Sequence, residues 1–219
     1  MNTLVQKLLL DAGPELGAAV PAQLVVECCN SVDVQKLCTN ILNRRNGFLA
    51  YDDALHVFPA CAPSSGPNLV QWNSPLGWRN AYGRLLDGYL CFAQDVFGNQ
   101  FAMNDGVVYR VECETGEMKK IAEGLENWVQ WVLDDVDFTT GRPFARLWKE
   151  EHSDWSSSGE RLVPKLPFVL GGGFDTSNFY SYDAEKAMKA YGDLALQLQD
   201  VPDGSLVSYQ AEGTGHAKP

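Results

Sequence analysis

The stretch Phe92 to Glu117, FAQDVFGNQFAMNDGVVYRVECETGE, decides how the chain is read. Apolar and polar residues alternate along it, and glycine turns break it at near-even intervals. Tyr89 to Asp95 predicts a strand, Phe97-Gly98-Asn99 a turn, and Gln100 to Met103 a second strand. Asp105-Gly106 is the signal of a type I′ hairpin, whose two central residues need positive φ. Val107, Tyr109, Val111 and Cys113 then alternate with Val108, Arg110 and Glu112, the period of a half-buried strand. ETGE turns the chain into MKKIA. The result is an antiparallel meander of about four strands.

Helical patterns flank the meander. SVDVQKLCTNILNRRNGF carries Val34, Leu37, Cys38, Ile41 and Leu42 on one helical stripe. Ser31 is placed to cap its start, and Arg44 and Arg45 complement its negative end before Gly47. FLAYDDALHVFPA follows as a loop and a short strand that Pro59 stops. Cys61 to Trp78 is rich in Pro and Gly and reads as an ordered loop or a short helical turn, and Trp78 to Asp87 as a further short helix. After the meander, EGLENWVQWVLDD sets Leu125, Trp128, Val129 and Val132 on the face that can lie across the sheet. Helix, strands, helix in that order predicts an α+β fold, a twisted, mostly antiparallel sheet with helices packed against it.

From about residue 140 the character changes. EEHSDWSSSGE is polar and turn-rich, and RLVPKLPFVLGGGF reads as an edge strand or arm because of its prolines. Asp183 caps a helix whose apolar face is Ala187, Met188, Tyr191, Leu194, Ala195 and Leu198. PDGSLVSYQ predicts a turn and a last strand. The domain reading is residues 1–139 as the α+β domain and 140–219 as an extension packed on the same domain.

Composition narrows the function. With 17 basic and 28 acidic residues the net charge is −11, which disfavours phosphate backbones and anionic lipid and favours a basic partner. The six cysteines form no CxxC pair and predict buried free thiols in a reducing compartment. MNTLVQKLLLDAGPEL has too short an apolar core for a signal peptide, so the expectation is a soluble, cytoplasmic protein with no membrane contact. His56, His152 and His216 lie far apart with no ligand-spaced neighbour, so no metal or cofactor is expected. No G-x-S-x-G elbow or phosphate loop is present, and Gly171-Gly172-Gly173 reads as a turn. Asp95 and Asp105 sit at two turns of the meander, where Asp serves as a turn-maker more often than as one of a catalytic pair. Asp52-Asp53 and Asp134-Asp135-x-Asp137 are solvated faces or contacts for a basic partner. Trp72, Trp78, Trp148 and Trp155 lie in loops or boundaries, either as plugs or as interface anchors.

The segment FAQDVFGNQFAMND…GVVYRVECETGEMKKIAEGLENWVQWVLDD resembles the signature of the SUKH superfamily, and the upstream ILNRRNGFL resembles that superfamily's helix ending in Asn-Gly. The likeness covers roughly Val34 to Asp135. It implies the mixed α+β domain already expected, and no catalytic residues. Many bacterial members are inferred to be immunity proteins that bind and neutralise a polymorphic toxin, often a nuclease or deaminase; fungal members regulate cell-wall synthesis. The resemblance thus implies a non-enzymatic protein that neutralises a cognate toxin by direct binding, the charge of −11 adds that this toxin is basic, and a regulatory or structural adaptor is the alternative. The residues expected at the partner surface are Asp52, Asp53, Trp72, Trp78, Asp95 and Asp105.

Overall fold

The computed structural model describes residues 3–18, 31–60, 66–155, 157–202 and 204–205. The fold is α+β. Six strands form one sheet in sequence order, each antiparallel to the next: β1 (Phe48–Ala50), β2 (Leu55–Val57), β3 (Leu90–Gln94), β4 (Gln100–Asn104), β5 (Val107–Val111) and β6 (Met118–Glu123). The four central strands and their turns lie where the alternation puts them. The sheet is larger than the sequence predicts, because FLAYDDALHVF folds as a hairpin of its own. Its turn is hard to foresee: Tyr51, Asp52 and Asp53 take φ of 57°, 58° and 68°, a left-handed conformation rare outside Gly. At the other predicted hairpin Asp105 has φ 51° and Gly106 82°, as a type I′ turn requires.

Helices cover both faces. Successive strand residues point to opposite sides, so Phe101 meets Trp128 at 5.6 Å between ring centroids while Gln100 faces the other way. Trp128 belongs to α4 (Gly124–Asp134), which buries Leu125, Trp128, Val129 and Val132 as its pattern predicts. On the Gln100 side lie α3 (Leu69–Trp72), a 3₁₀ turn at Trp78–Tyr82, and α7 (Ala184–Leu198). His56, Phe58, Trp72, Trp78 and Tyr82 form a continuous column of rings there, with successive centroids 4.6, 4.7, 5.3 and 5.5 Å apart. Asp183 caps α7 by accepting from the Lys186 amide at 2.9 Å. The helix at Val34 is shorter than expected: α2 (Val32–Leu37) passes into a π-helical turn at Cys38–Leu42, and Ser31 occupies the N-cap position without a side-chain bond. Asp33 of α2 instead accepts from the Gly106 amide at 2.8 Å, which pins the β4–β5 turn.

Three helices lie outside the sequence reading: α1 (Thr3–Leu10), α5 (Val136–Thr140) and α6 (Arg142–Glu151). α5 is five residues long, too short for a stripe, whereas α6 buries Ala145 and Trp148 on one face; Gly141, at φ 71°, separates them. The arm RLVP is β7 (Glu160–Pro164), paired with β8 (Phe179–Asp183) in a two-stranded sheet. Residues 140–179 contribute to a small second core of Ala54, Val96, Phe97, Ala145, Trp148, Leu162 and Phe179, whereas α7 joins the main core through Ala187, Met188 and Tyr191. Cys38, Cys91 and Cys113 are buried free thiols. Cys28, Cys29, Cys61, His216 and the strand expected in PDGSLVSYQ lie outside the described residues. Among the described residues no helix is long and apolar enough to cross a membrane.

The contact between α7 and the 3₁₀ turn depends on Gly192. A Cβ there would lie 2.7 Å from the Ala81 Cβ and 2.8 Å from the Ala81 backbone. In an open helix Gly→Ala stabilises by about 1 kcal/mol; here overpacking reverses the sign. Gly192→Ala is expected to destabilise the protein by about 1–3 kcal/mol, read as a lower urea midpoint at unchanged slope.

Candidate functional site

A meander places alternate turns at the same end of its sheet. The β1–β2, β3–β4 and β5–β6 turns therefore converge, and the β4–β5 turn with Asp105 lies at the opposite end. Against the converging end pack α5, α6 and the segment after β7. Between them is a cleft of about 520 Å³, lined from the sheet by Asp95, Phe97, Asn99, Arg110, Glu112, Cys113, Glu114 and Glu117, and from the later segments by Asp137, Phe138, Gly141, Phe144, Phe168, Val169 and Phe174.

Its floor is aromatic. Phe97 lies 5.5, 5.3, 5.9 and 5.4 Å from the ring centres of Phe144, Phe168, Phe174 and Phe179. Phe168 and Phe174 stack at 4.0 Å with planes 8° apart. Phe174 remains 62% exposed and Phe138 71%, so the apolar surface continues from the floor onto the rim. Gly141 permits the closest approach: a Cβ there would lie 2.6 Å from Val96 and 2.9 Å from the Phe97 ring.

The polar wall is built around Asp95. Its Oδ1 accepts from the Phe97 and Asn99 amides, both at 2.9 Å, and its Oδ2 from Asn99 Nδ2 at 2.8 Å and Arg110 at 3.2 Å. Asn99 in turn accepts from the Cys113 amide at 3.0 Å, which ties the β3–β4 turn to the β5–β6 turn. Burial raises the Asp95 carboxyl above its usual range, while the Arg110 charge and the three hydrogen bonds from Asn99 and Phe97 pull the other way. Arg110 also has Nε 3.3 Å from Glu112 Oε1, within ion-pair distance but out of line for a hydrogen bond. Glu112 is raised by burial, and repulsion from Asp95, Glu117 and Glu114 adds to that against the pull of Arg110. Glu114 spans the gap to the far wall, accepting from the Phe168 and Val169 amides at 3.0 and 2.8 Å. Burial raises its carboxyl too, and those two amides oppose the rise. The Cys113 thiol is pushed well up by burial and the nearby carboxylates and stays protonated, an environment opposite to that of a reactive cysteine.

Behind the cleft a polar layer secures β7. Arg161 is fully buried and donates to the carbonyls of Ser157 at 2.6 Å and Glu160 at 2.8 Å. With the Gln94 amide oxygen turned toward it, Nε and Nη2 donate at 3.0 and 3.1 Å. Burial lowers the guanidinium to about 10, which leaves it charged at neutral pH. His56 is buried beside this layer, and burial with the Arg161 charge holds it well below its usual value, as the neutral imidazole.

The structure redistributes the six residues expected at a partner surface. Trp72 and Trp78 are each 1% exposed and belong to the ring column, so they are plugs; Trp72 Nε1 donates to Gln100 at 2.8 Å. Asp95 is likewise 1% exposed and touches the cleft only as its internal support. Asp52 and Asp53 lie at the converging end but are engaged: Asp52 pairs with Arg142 at 2.8 Å, and Asp53 pairs with Lys149 at 2.8 Å and accepts from Ser157 Oγ at 2.9 Å. These bonds fix α6 onto the left-handed β1–β2 turn. Asp105 lies remote from all of them. In the acidic cluster 134–137, Asp135 caps α5 by accepting from the Phe138 amide at 3.0 Å, and Asp137 reaches the cleft rim. The sequence reading missed the aromatic floor and the wall of Arg110, Glu112, Glu114 and Glu117. The alternate acids in VECETGE were the available signal; nothing in the spacing joins them to aromatics more than fifty residues later.

No family model matches the chain, and no curated protein does. Among solved structures, the crystal structure of Atu4351 from Agrobacterium tumefaciens is similar over 88% of this chain and 89% of its own, with a TM-score of 0.54 and 16% identity. At that identity the likeness shows the fold and carries no function.

Two outcomes follow from this geometry. Glu114→Ala removes a charged acceptor shared by two amides and is expected to cost about 1–3 kcal/mol, with faster hydrogen exchange at Phe168 and Val169. The second concerns pH. The unfolded chain protonates His56 below about 6.5, while the folded protein does not, so His56 costs stability as pH falls through that value. The raised carboxyls Asp95, Glu112 and Glu114 act in the opposite sense, favouring the folded state as pH falls. The difference between the native protein and His56→Gln isolates the histidine: urea midpoints measured from pH 7.5 to 5 should show the native protein losing stability relative to the variant below about pH 6.5.

Proposed function

We propose that the protein is a non-enzymatic binding protein of the immunity type, which neutralises a basic protein toxin by direct association through the cleft at the converging end of the sheet. The observation that carries this reading is the cleft itself: an aromatic floor open at its rim, under five carboxylates and one arginine. Apolar surface supplies contact area, and the negative wall selects the sign of the partner. A nuclease toxin must present positive surface to hold nucleic acid, and a chain of net charge −11 with an acid-walled cleft is suited to cover such a surface. The resemblance of Phe92 to Asp135 to the SUKH superfamily points the same way. The polar groups inside the cleft support binding over catalysis: Asp95 is saturated by four donors, Glu114 is occupied by two amides, and the Cys113 thiol is neutral. In this reading the protein works in the cytoplasm of the cell it protects.

The test is co-expression with a toxin encoded beside the gene, scored by growth and by isolation of a 1:1 complex. Rescue with complex formation supports the reading. Growth arrest without binding, alongside stable association with an unrelated cellular protein, moves it to a regulatory adaptor. Within a rescuing complex, Glu117→Lys combined with Asp137→Lys is expected to slow association about tenfold or more at low salt and to flatten its salt dependence, measured by stopped-flow mixing. Both positions are exposed, so the substitutions leave the core untouched.

A further inference from the structure

We propose that the cleft is an arginine-reading site: it receives the guanidinium of one arginine from an extended segment of the partner, together with an adjoining apolar side chain. This rests on the cleft being the binding surface and names what it binds.

The charge arrangement of the cleft calls for a cation. Five carboxylates line the cleft, and Arg110 is its one basic residue. Arg110 is already shared between Asp95 and Glu112. Glu117 and Asp137, on opposite sides of the mouth, carry no ion pair among the described residues. Glu112 feels the repulsion of Asp95, Glu117 and Glu114, so the wall holds like charges together beyond what its own arginine balances. A second cation relieves that repulsion, and an anionic or neutral ligand does not.

The ring stack at the mouth selects the shape of the cation. The exposed outer ring of the Phe168–Phe174 stack offers a flat aromatic face at the mouth. A guanidinium is planar, stacks on such a face, and can present its edge to a carboxylate at the same time. A lysine ammonium is a strongly hydrated point charge and gains less from the ring. Arg110 shows the same carboxylate wall pairing with a guanidinium from within the fold, hydrogen-bonded to Asp95 at 3.2 Å and ion-paired with Glu112 at 3.3 Å.

A cleft of about 520 Å³ exceeds one side chain, and its mouth continues onto Phe138 and onto Val169, which is 44% exposed. A residue next to the arginine can bury an apolar side chain there. The ligand is therefore an arginine flanked by an aliphatic or aromatic residue, in an extended strand or loop that reaches into the corner.

The test uses the full chain, ¹⁵N-labelled, titrated with three capped tripeptides: Leu-Arg-Leu, Leu-Lys-Leu and Leu-citrulline-Leu. Citrulline keeps the shape of arginine and removes the charge. Chemical-shift changes are expected at the amides of Phe97, Cys113, Glu117 and Phe174, with arginine binding at least about tenfold tighter than citrulline and several-fold tighter than lysine. Phe174→Ala and Glu117→Gln, both at exposed positions, should each weaken the arginine peptide about fivefold or more. Equal binding of arginine and citrulline, equal binding of arginine and lysine, shifts confined to other surfaces, or no shifts at all would each overturn the proposal. The immunity reading is scored separately. A neighbouring toxin bound equally well by the native protein and by Phe174→Ala sinks the arginine site and leaves immunity standing. Specific arginine binding without any toxin binding does the reverse.

Discussion

A single buried carboxylate organises the cleft end of this molecule. Asp95 accepts four hydrogen bonds, two from backbone amides, one from Asn99 and one from Arg110. Each bond fixes something the cleft needs. The amides shape the turn that turns Phe97 into the aromatic floor. Asn99 carries the order onward to the Cys113 amide, and so to the acidic β5–β6 turn. Arg110 brings a positive charge to the centre of a negative wall. Leaving such a group unpaired would cost far more than its bonds return, so the corner forms whole or is disrupted whole.

The sheet supplies the frame because a meander gathers alternate turns at one end. Residues 140–179 then supply the other wall. They are held by contacts that cross a long stretch of chain: Asp52 and Asp53 to α6, Glu114 to the Phe168 and Val169 amides, and Arg161 to the buried polar layer. The three left-handed residues at Tyr51–Asp53 cost conformational energy, and the ion pairs and the buried Tyr51 ring offset it. Burial raises the Tyr51 hydroxyl to about 12, so it remains neutral. The surface this assembly presents is apolar within and acidic around.

Much of the frame was legible in the sequence. Alternation from Leu90 to Ala122 placed the central strands, although β3 and β4 are buried on both faces and a bulge at Val108/Tyr109 breaks the period in β5; the stripes of α4 and α7 marked two of the covering helices, because there period and burial coincide. The β1–β2 hairpin was hidden by its turn, since Tyr-Asp-Asp carries none of the glycine or asparagine that normally marks positive φ. Of the two short helices at 136–151, α5 was hidden because it is barely more than one turn long, and α6 because its buried face is only Ala145 and Trp148 among charged residues that pair with Asp52 and Asp53. The site was less legible still. Trp72 and Trp78 look like anchors on a linear reading because they border Pro- and Gly-rich segments, yet three-dimensional stacking makes them core. Conversely Phe168 and Phe174, in an arm with no regular period, become the floor of the cleft through packing on Phe97 and through Glu114, both more than fifty residues away. Pattern reports local periodicity, and this cleft is made of long-range contacts.

The central claim, that Asp95 holds the cleft's two turns together, is tested most directly by residue-resolved hydrogen exchange on Asp95→Asn. An amide in place of the carboxylate loses charge and turns a donor toward Asn99 and Arg110. The account predicts exchange about tenfold or more faster at Phe97, Asn99 and Cys113, with the β1–β2 pairing and α4 unchanged. Uniform acceleration across the sheet, or no change at those three amides, would contradict it.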